Sequence, residues 1–311
     1  MILAKRNYIL ILLAAALHCG TYRPCVRAVP VTQATNITEA ELFKPASGAL
    51  PELIVLNTGE VEVDDSLLLD LENHPEIKSS KQYVPVMSYL VRHPKKGDIL
   101  IDTGFDETFA QSGHGNFSCM GRFFNFARQK PGSDTGSQLK QLNAKLTAVY
   151  FTHMHVDHTS GAPALPRDIP YYAGKGTLAD SYADIFGLCM NHLDGIENIH
   201  EIDFAAAPLV AGVGHVFDVF GDGSVWAIHT PGHSAGHMSF VVNTKTGPRL
   251  ITGDASHTGY GFKNNIAPGK TQDRAQSRES LNALRSLADK HKQIQIYFGH
   301  DPDGSYEPGG K

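Results

Sequence analysis

Four side chains able to bind a metal stand within six residues in the segment Thr152-His153-Met154-His155-Val156-Asp157-His158. Imidazole nitrogen and carboxylate oxygen together form a donor set for zinc, manganese or iron. A single histidine belongs by default to a solvated turn or a satisfied core. Four donors on one short turn after an apolar run are a different matter, because chance seldom assembles them. Three more polar residues follow apolar runs in the same way: His233 in HTPGHSAGH, Asp254 in ITGDASH and His300 in IYFGHD. The seven residues are too many for one tetrahedral ion and enough for two ions sharing a bridging carboxylate. A divalent pair of that kind makes a water molecule acidic near neutral pH and so supports hydrolysis of a carbonyl compound.

Such donors need rigid elements behind them, and the pattern of short β-rich runs supplies candidates. These are Leu53 to Leu56, Val84 to Val91, Ile99 to Ile101, Ala148 to Phe151, Val225 to Ile228, Phe240 to Val242, Leu250 to Ile251 and Ile294 to Phe298. Helical spacing is expected over Gln138 to Leu146. It is expected more strongly over Asp273 to His291, where Leu281, Leu284 and Ala288 share a face and Asp273 is placed to cap the first turn. Strands interleaved with helices, without repeats, indicate an α/β sandwich in one domain from residue 52 to 311. The stretch from His114 to Gly136, rich in Gly and Phe, reads as a loop over the site. Residues 29–51, broken by prolines, read as an N-terminal arm or linker.

The bulk composition narrows the function. With 41% hydrophobic and 19% charged residues the 311-residue chain is neither disordered nor fibrous, and a net charge of −5 gives no general reason to bind nucleic acid or anionic membranes. Lys5 and Arg6 precede an apolar run from Tyr8 to Leu17, shorter than a bilayer span, and Val26-Arg27-Ala28 closes the segment. Residues 1–28 therefore read as a secretory signal peptide, implying a secreted or periplasmic protein; the alternative is a membrane anchor. Cleavage there would remove Cys19 and Cys25 and leave Cys119 and Cys189, which either pair or stay as two buried thiols. Asn36 and Asn116 lie in glycosylation tripeptides.

The motifs THMHVDH, HTPGHSAGH, GDAS and FGHD, in that order, resemble those of the metallo-β-lactamase superfamily, and the preceding segment VMSYLVRHPKKGDILIDTGFDE is similar to its N-terminal strand pair. The resemblance spans about Glu52 to Asp303 and implies an αββα sandwich. It also implies that His153, His155 and His233 hold one metal, that Asp157, His158 and His300 hold the other, and that Asp254 bridges the two, with zinc as the first choice of ion. The intervals of 75 residues from His158 to His233, 21 to Asp254 and 46 to His300 are close to the layout of the N-acyl homoserine lactonase branch. Glyoxalase II shares this ligand set but normally continues into a segment that binds glutathione, whereas 11 residues follow His300 here, so the lactonase branch is the expected one.

The function implied is opening of a lactone ring in a small-molecule substrate, with no nucleic-acid partner. The enzymatic alternatives are hydrolysis of a cyclic amide or carbamate and a glyoxalase II-like thioesterase. The non-enzymatic one is a metal-containing binding protein of the same fold. Asp157 is expected to orient the attacking water or shuttle its proton. One position departs from the branch: three residues after the bridging aspartate, where those lactonases carry a substrate-binding tyrosine, this chain has His257, with Tyr260 three further on. His257 is expected to hydrogen-bond the substrate oxygen in the tyrosine's place. His215, His229 and His237 are read as structural or orienting residues.

Overall fold

In the computed structural model, which describes residues 25–29, 37–45, 48–115, 126–178, 193 and 195–310, fourteen strands form two sheets. They are β1 (Cys25–Ala28), β2 (Glu52–Asp64), β3 (Lys81–His93), β4 (Gly97–Ile101), β5 (Ala127–Arg128), β6 (Leu146–Tyr150), β7 (Tyr171–Gly174), β8 (Asn198–Ile202), β9 (Leu209–Val210), β10 (Gly214–Asp218), β11 (Val225–His229), β12 (Met238–Thr244), β13 (Gly247–Ile251) and β14 (Gln295–Tyr297). The first sheet runs β1-β8-β7-β6-β4-β3-β2-β5 and the second β14-β13-β12-β11-β10-β9.

Strand alternation explains how two sheets and flanking helices share one chain. Tyr89, Val91, Ile99 and Ile101 of the first sheet point to a core that also takes Ala227, Met238, Phe240 and Val242 of the second. Their neighbours Leu90 and Leu100 face outward and pack with Leu139 of helix α3 (Thr135–Gln141), which follows α1 (Asp65–Leu68) and α2 (Thr108–Gln111). On the outside of the second sheet, Trp226, Ile228, Val241 and Leu250 meet Leu281, Leu284 and Leu287 of the long helix Arg274–Lys290. Both faces of both sheets are thus covered, which is why the central runs are apolar almost throughout. This is the αββα layering expected from the sequence.

Each β-rich run expected from the sequence lies in a strand, apart from one-residue differences at strand ends. The capped helix begins where expected, with the Asp273 side chain accepting from the Gln276 N–H. The other helix is displaced: it occupies Thr135–Gln141, capped by Asp134, and Leu146 already opens β6. The break falls at Asn143, which adopts φ 50°, a left-handed turn that asparagine tolerates. The stretch read as arm or linker is docked over part of its length. Glu39–Phe43 forms a 3-10 turn whose Leu42 is fully buried, Asn243 donates to the Leu42 carbonyl, and Glu39 pairs with Lys290 and His291. Cys25–Ala28, at the end of the segment read as a signal, forms an exposed edge strand beside β8. Cys119, Cys189, Asn36 and Asn116 lie outside the described residues, as does the 116–125 part of the glycine-rich loop, whereas Ala127–Arg128 pairs with β2. Among the described residues, no helix is long and apolar enough to cross a membrane.

Candidate metal centre

Every donor lies just beyond the end of a strand, on one edge of the sandwich. The first sheet presents His153, His155, Asp157 and His158 after β6, the last two on the single turn α4 (Val156–Thr159). The second presents His233 after β11, Asp254 on a 3-10 turn after β13 and His300 after β14. Two glycines admit the aspartate. Gly253 takes φ 52°, and a Cβ there would lie 2.9 Å from His237 Nε2. At Gly299 a Cβ would collide with Asp254 Oδ1.

The seven residues converge as two groups around Asp254. His233 Nε2 lies 3.2 Å from His153 Nε2 and 3.0 Å from His155 Nδ1. Asp254 Oδ2 lies 3.5 Å from His153 Nε2 and 3.4 Å from His233 Nε2. The other oxygen, Oδ1, lies 3.4 Å from His158 Nε2 and 3.6 Å from His300 Nε2, and Asp157 Oδ2 is 3.5 and 3.2 Å from the same two nitrogens. Donors sharing one ion at about 2.1 Å stand roughly 3.0–3.5 Å apart. The spacing in both groups is that of common ligands. His158 Nε2 and Asp254 Oδ1 are buried and have no hydrogen-bond partner among the described residues, an arrangement that a cation between them would satisfy. The residues present therefore fit a pair of metal ions.

Anchors behind the donors fix which nitrogen carries the lone pair. His158 Nδ1 donates to Asp102 Oδ2 at 2.8 Å, and His300 Nδ1 donates to the Pro85 carbonyl at 2.9 Å. His153 Nδ1 donates to Thr152 Oγ1 at 3.0 Å, and that hydroxyl donates onward to Asp102 Oδ2, while Asp102 Oδ1 takes the Thr152 N–H. All three imidazoles thus aim Nε2 at the centre. Asp102 sits in a left-handed turn at φ 54° directly after β4. A second circuit holds the bridging aspartate: the Asp254 N–H donates to His237 Nε2, His237 Nδ1 to Thr230, Thr230 to Ser239, and Ser239 to the Thr252 carbonyl. The turn carrying Asp254 is gripped on both sides.

Charge follows this geometry. Burial works against protonation of His158 and His300, yet the surrounding carboxylates Asp254, Asp102 and Asp157 hold His158 well above the usual imidazole range, and Asp254 and Asp157 raise His300 to about 10. Burial also opposes ionisation of Asp157 and Asp254, but the neighbouring imidazoles keep both below the usual carboxylate range. Burial pushes His153 and His233 down, and lowers His237 to about 3, consistent with a neutral ring that accepts from Asp254.

His257 stands beside the bridging aspartate. Its Nδ1 lies 3.0 Å from the Leu68 carbonyl, which can only accept, so that nitrogen carries the proton and Nε2 faces Asp254 Oδ2 at 3.1 Å. Tyr260, in the first turn of α5 (Gly259–Asn264), packs with the apolar cluster around Phe105 and Ile266. His215 and His229 are bound to backbone carbonyls of Ala207 and Ala235, away from the two groups. Sequence reading missed Asp102 and Thr152 as anchors. Asp102 nevertheless shows the signal that found His233 and Asp254, a polar residue within a few positions of an apolar run.

Comparison with known proteins identifies the family of the chain. A family model described as the metallo-beta-lactamase superfamily matches residues 83–300. The N-acyl homoserine lactonase AttM of Azorhizobium caulinodans is 29% identical over 239 residues, spanning 71% of this chain and 83% of its own length. The N-acyl homoserine lactonase of Bacillus cereus is 28% identical over 227 residues, with 70% and 82% spanned. Among solved structures, a Bacillus thuringiensis AiiA variant with N-decanoyl-L-homoserine bound at its active site superposes with a TM-score of 0.64 at 24% identity, covering 82% of this chain and 94% of that one. AidC, a dizinc quorum-quenching lactonase, superposes with a TM-score of 0.56 at 15% identity, covering 84% and 92%.

Proposed function

Since the chain belongs to the metallo-beta-lactamase superfamily, we propose that it is a dinuclear metal-dependent hydrolase that opens the ring of a lactone. The observation that carries the two-metal reading is the division of Asp254, whose Oδ2 faces His153 and His233 while Oδ1 faces His158 and His300. His153, His155, His233 and Asp254 would hold one ion, and Asp157, His158, His300 and Asp254 the other. Zinc is the ion we propose, since nitrogen and oxygen donors at this spacing suit it. When bound, the pair supplies an acidic water and polarises the carbonyl under attack.

The chain's own groups do the remaining work. Asp102, through His158 directly and through Thr152 to His153, keeps both imidazoles in the tautomer that presents Nε2. Asp157 is the more open of the two central carboxylates, with 16% of its side chain exposed against 3% for Asp254. We assign it the task of taking the proton released by the nucleophile and returning it to the departing alkoxide. An alkoxide is a far better leaving group than an amide anion, so a carboxyl group suffices as the acid for ring opening. A cavity of about 440 Å³ borders His300 and reaches Asn57, Gln82 and Tyr83, a volume suited to a small molecule. N-acyl homoserine lactones, named for the relatives, are the first substrates to test. Export by the signal-like segment 1–28 is part of the same proposal.

Metal analysis together with a panel of lactones, glutathione thioesters and cyclic amides, assayed with and without chelator, tests the reading. Two metals per chain and chelator-sensitive lactone hydrolysis are expected. Turnover of the thioester alone, or of the cyclic amide alone, would replace the lactone assignment. Fewer than one metal per chain after supplementation would remove the dinuclear basis.

A further inference from the structure

We infer that His257 is an additional ligand residue of the metal pair, entering through Nε2; this rests on the dinuclear reading above. The other imidazoles that present Nε2 from well-defined anchors, His153, His158 and His300, each have Nδ1 donating to an acceptor on the protein side. His257 has the same signature, with Nδ1 on the Leu68 carbonyl. Donation of the second ring N–H to a carbonyl or carboxylate is the usual mark of a metal-bound histidine, because it fixes the ring and the tautomer. His237 is the internal contrast: its Nε2 already accepts the Asp254 N–H and is unavailable to an ion.

The anchor is a rigid one. Leu68 closes the one-turn helix α1, whose last carbonyls lack donors within the helix. That helix is held from beneath by Asp65, which accepts from Ser80, Gln82, Tyr306 and Gly309. From the other side, the His300 N–H donates to the His257 carbonyl, tying the backbone of one imidazole to the other. The ring is buried, and its Nε2 stands 3.1 Å from Asp254 Oδ2. That separation is the one expected of neighbouring ligands on one ion, so a cation held by Asp254 Oδ2 would lie within reach of His257 Nε2. Donor atoms of Asp254, His257 and His300 also lie within 4.8 Å of one another, so His257 reaches the face shared by both groups. A tyrosine at this position would offer a proton to substrate; His257 offers electrons to a cation.

The consequence would be one more protein donor at the resting pair, which a substrate oxygen would have to displace. Cobalt(II) replacement reads this without reference to turnover, because the visible absorption of cobalt intensifies as its coordination number falls. The full chain loaded with two cobalt ions is compared with His257→Phe and His257→Gln carrying the same load. Stronger visible bands and about tenfold or greater loss of affinity for one of the two ions, measured by chelator competition, are expected in both variants. Thermal unfolding of the metal-free forms checks that the variants fold, and the glutamine variant serves if phenylalanine prevents folding. Unchanged spectra with both ions bound within twofold of the original affinity would overturn the inference and leave the dinuclear reading intact. A parent chain that binds only one cobalt ion would instead overturn both.

Discussion

Replacing Asp102 by asparagine tests the logic of the centre more sharply than replacing a ligand. The carboxylate receives three donors: the Thr152 N–H at 2.7 Å, the Thr152 hydroxyl at 2.8 Å and His158 Nδ1 at 2.8 Å. An asparagine has one acceptor oxygen and one donor group. With its amide facing His158, both the imidazole N–H and the Thr152 hydroxyl meet a donor, and His158 must move its proton to Nε2, where it blocks the metal. With the amide turned round, the buried Thr152 N–H is left opposite a donor, at about 1–3 kcal/mol. In either orientation the charge-assisted bond to His158 becomes a neutral one of roughly half the strength. Loss of such an anchor weakens metal binding by about 10–100-fold, equivalent to about 1.4–2.7 kcal/mol. Because Thr152 relays the carboxylate to His153, both binding steps are expected to weaken in Asp102→Asn, whereas Thr152→Val should weaken mainly the step that uses His153. Chelator competition with zinc, run beside chemical denaturation of the metal-free variants, separates affinity from folding. Retention of both ions within twofold of the parent affinity by Asp102→Asn would refute the relay.

Two stability predictions follow from the packing. Gly253→Ala places a Cβ 2.9 Å from His237 Nε2 and 3.1 Å from Thr152 Cβ in a left-handed backbone, so a destabilisation of about 2–4 kcal/mol is expected in urea unfolding. A change under 0.5 kcal/mol would mean that the turn relaxes freely. Leu42→Ala is expected to lose about 2–5 kcal/mol, because the side chain is fully buried among Val216, Trp226 and Leu250. A neutral result would show that residues 37–45 are a loose arm after all.

The donors were legible in the sequence because strands make them so. A strand that must be apolar on both faces gives way to polar loop residues where the core ends, and His153, His233, Asp254 and His300 lie three or four residues beyond the ends of their strands. The long helix was legible for a similar reason: its 3.6-residue periodicity and its aspartate cap are local signals. The strands β5, β7, β8, β9 and β10 were not, since β5 and β9 hold two residues each, β7, β8 and β10 mix their apolar residues with Gly, Asn, His, Glu or Asp, and all five are fixed by their partners in the sheet. Docking of Leu42 was hidden because the contact spans some 200 residues, as the bond from Asn243 to its carbonyl shows. Nor can a sequence give the proton on a histidine ring. The role of His257 turns on Leu68, 189 positions earlier, whose side chain plays no part in the bond.

The distribution of ligands couples the chemistry to the fold. His153, His155, Asp157 and His158 belong to the end of the first sheet, whereas His233, Asp254 and His300 belong to the end of the second. At this edge the sheets are also joined through the Met238 N–H, which donates to the Thr152 carbonyl. Each group of donors therefore includes residues from both sheets, and a metal bound by either group ties the two layers together where Asp102, Asp157 and Asp254 concentrate negative charge. Binding to the folded state alone adds about 2.7 kcal/mol per ion at a hundredfold excess over Kd, comparable to burying a large apolar side chain. The sandwich could consequently leave its ligand edge polar and densely charged, because ions bound there would also hold that edge closed.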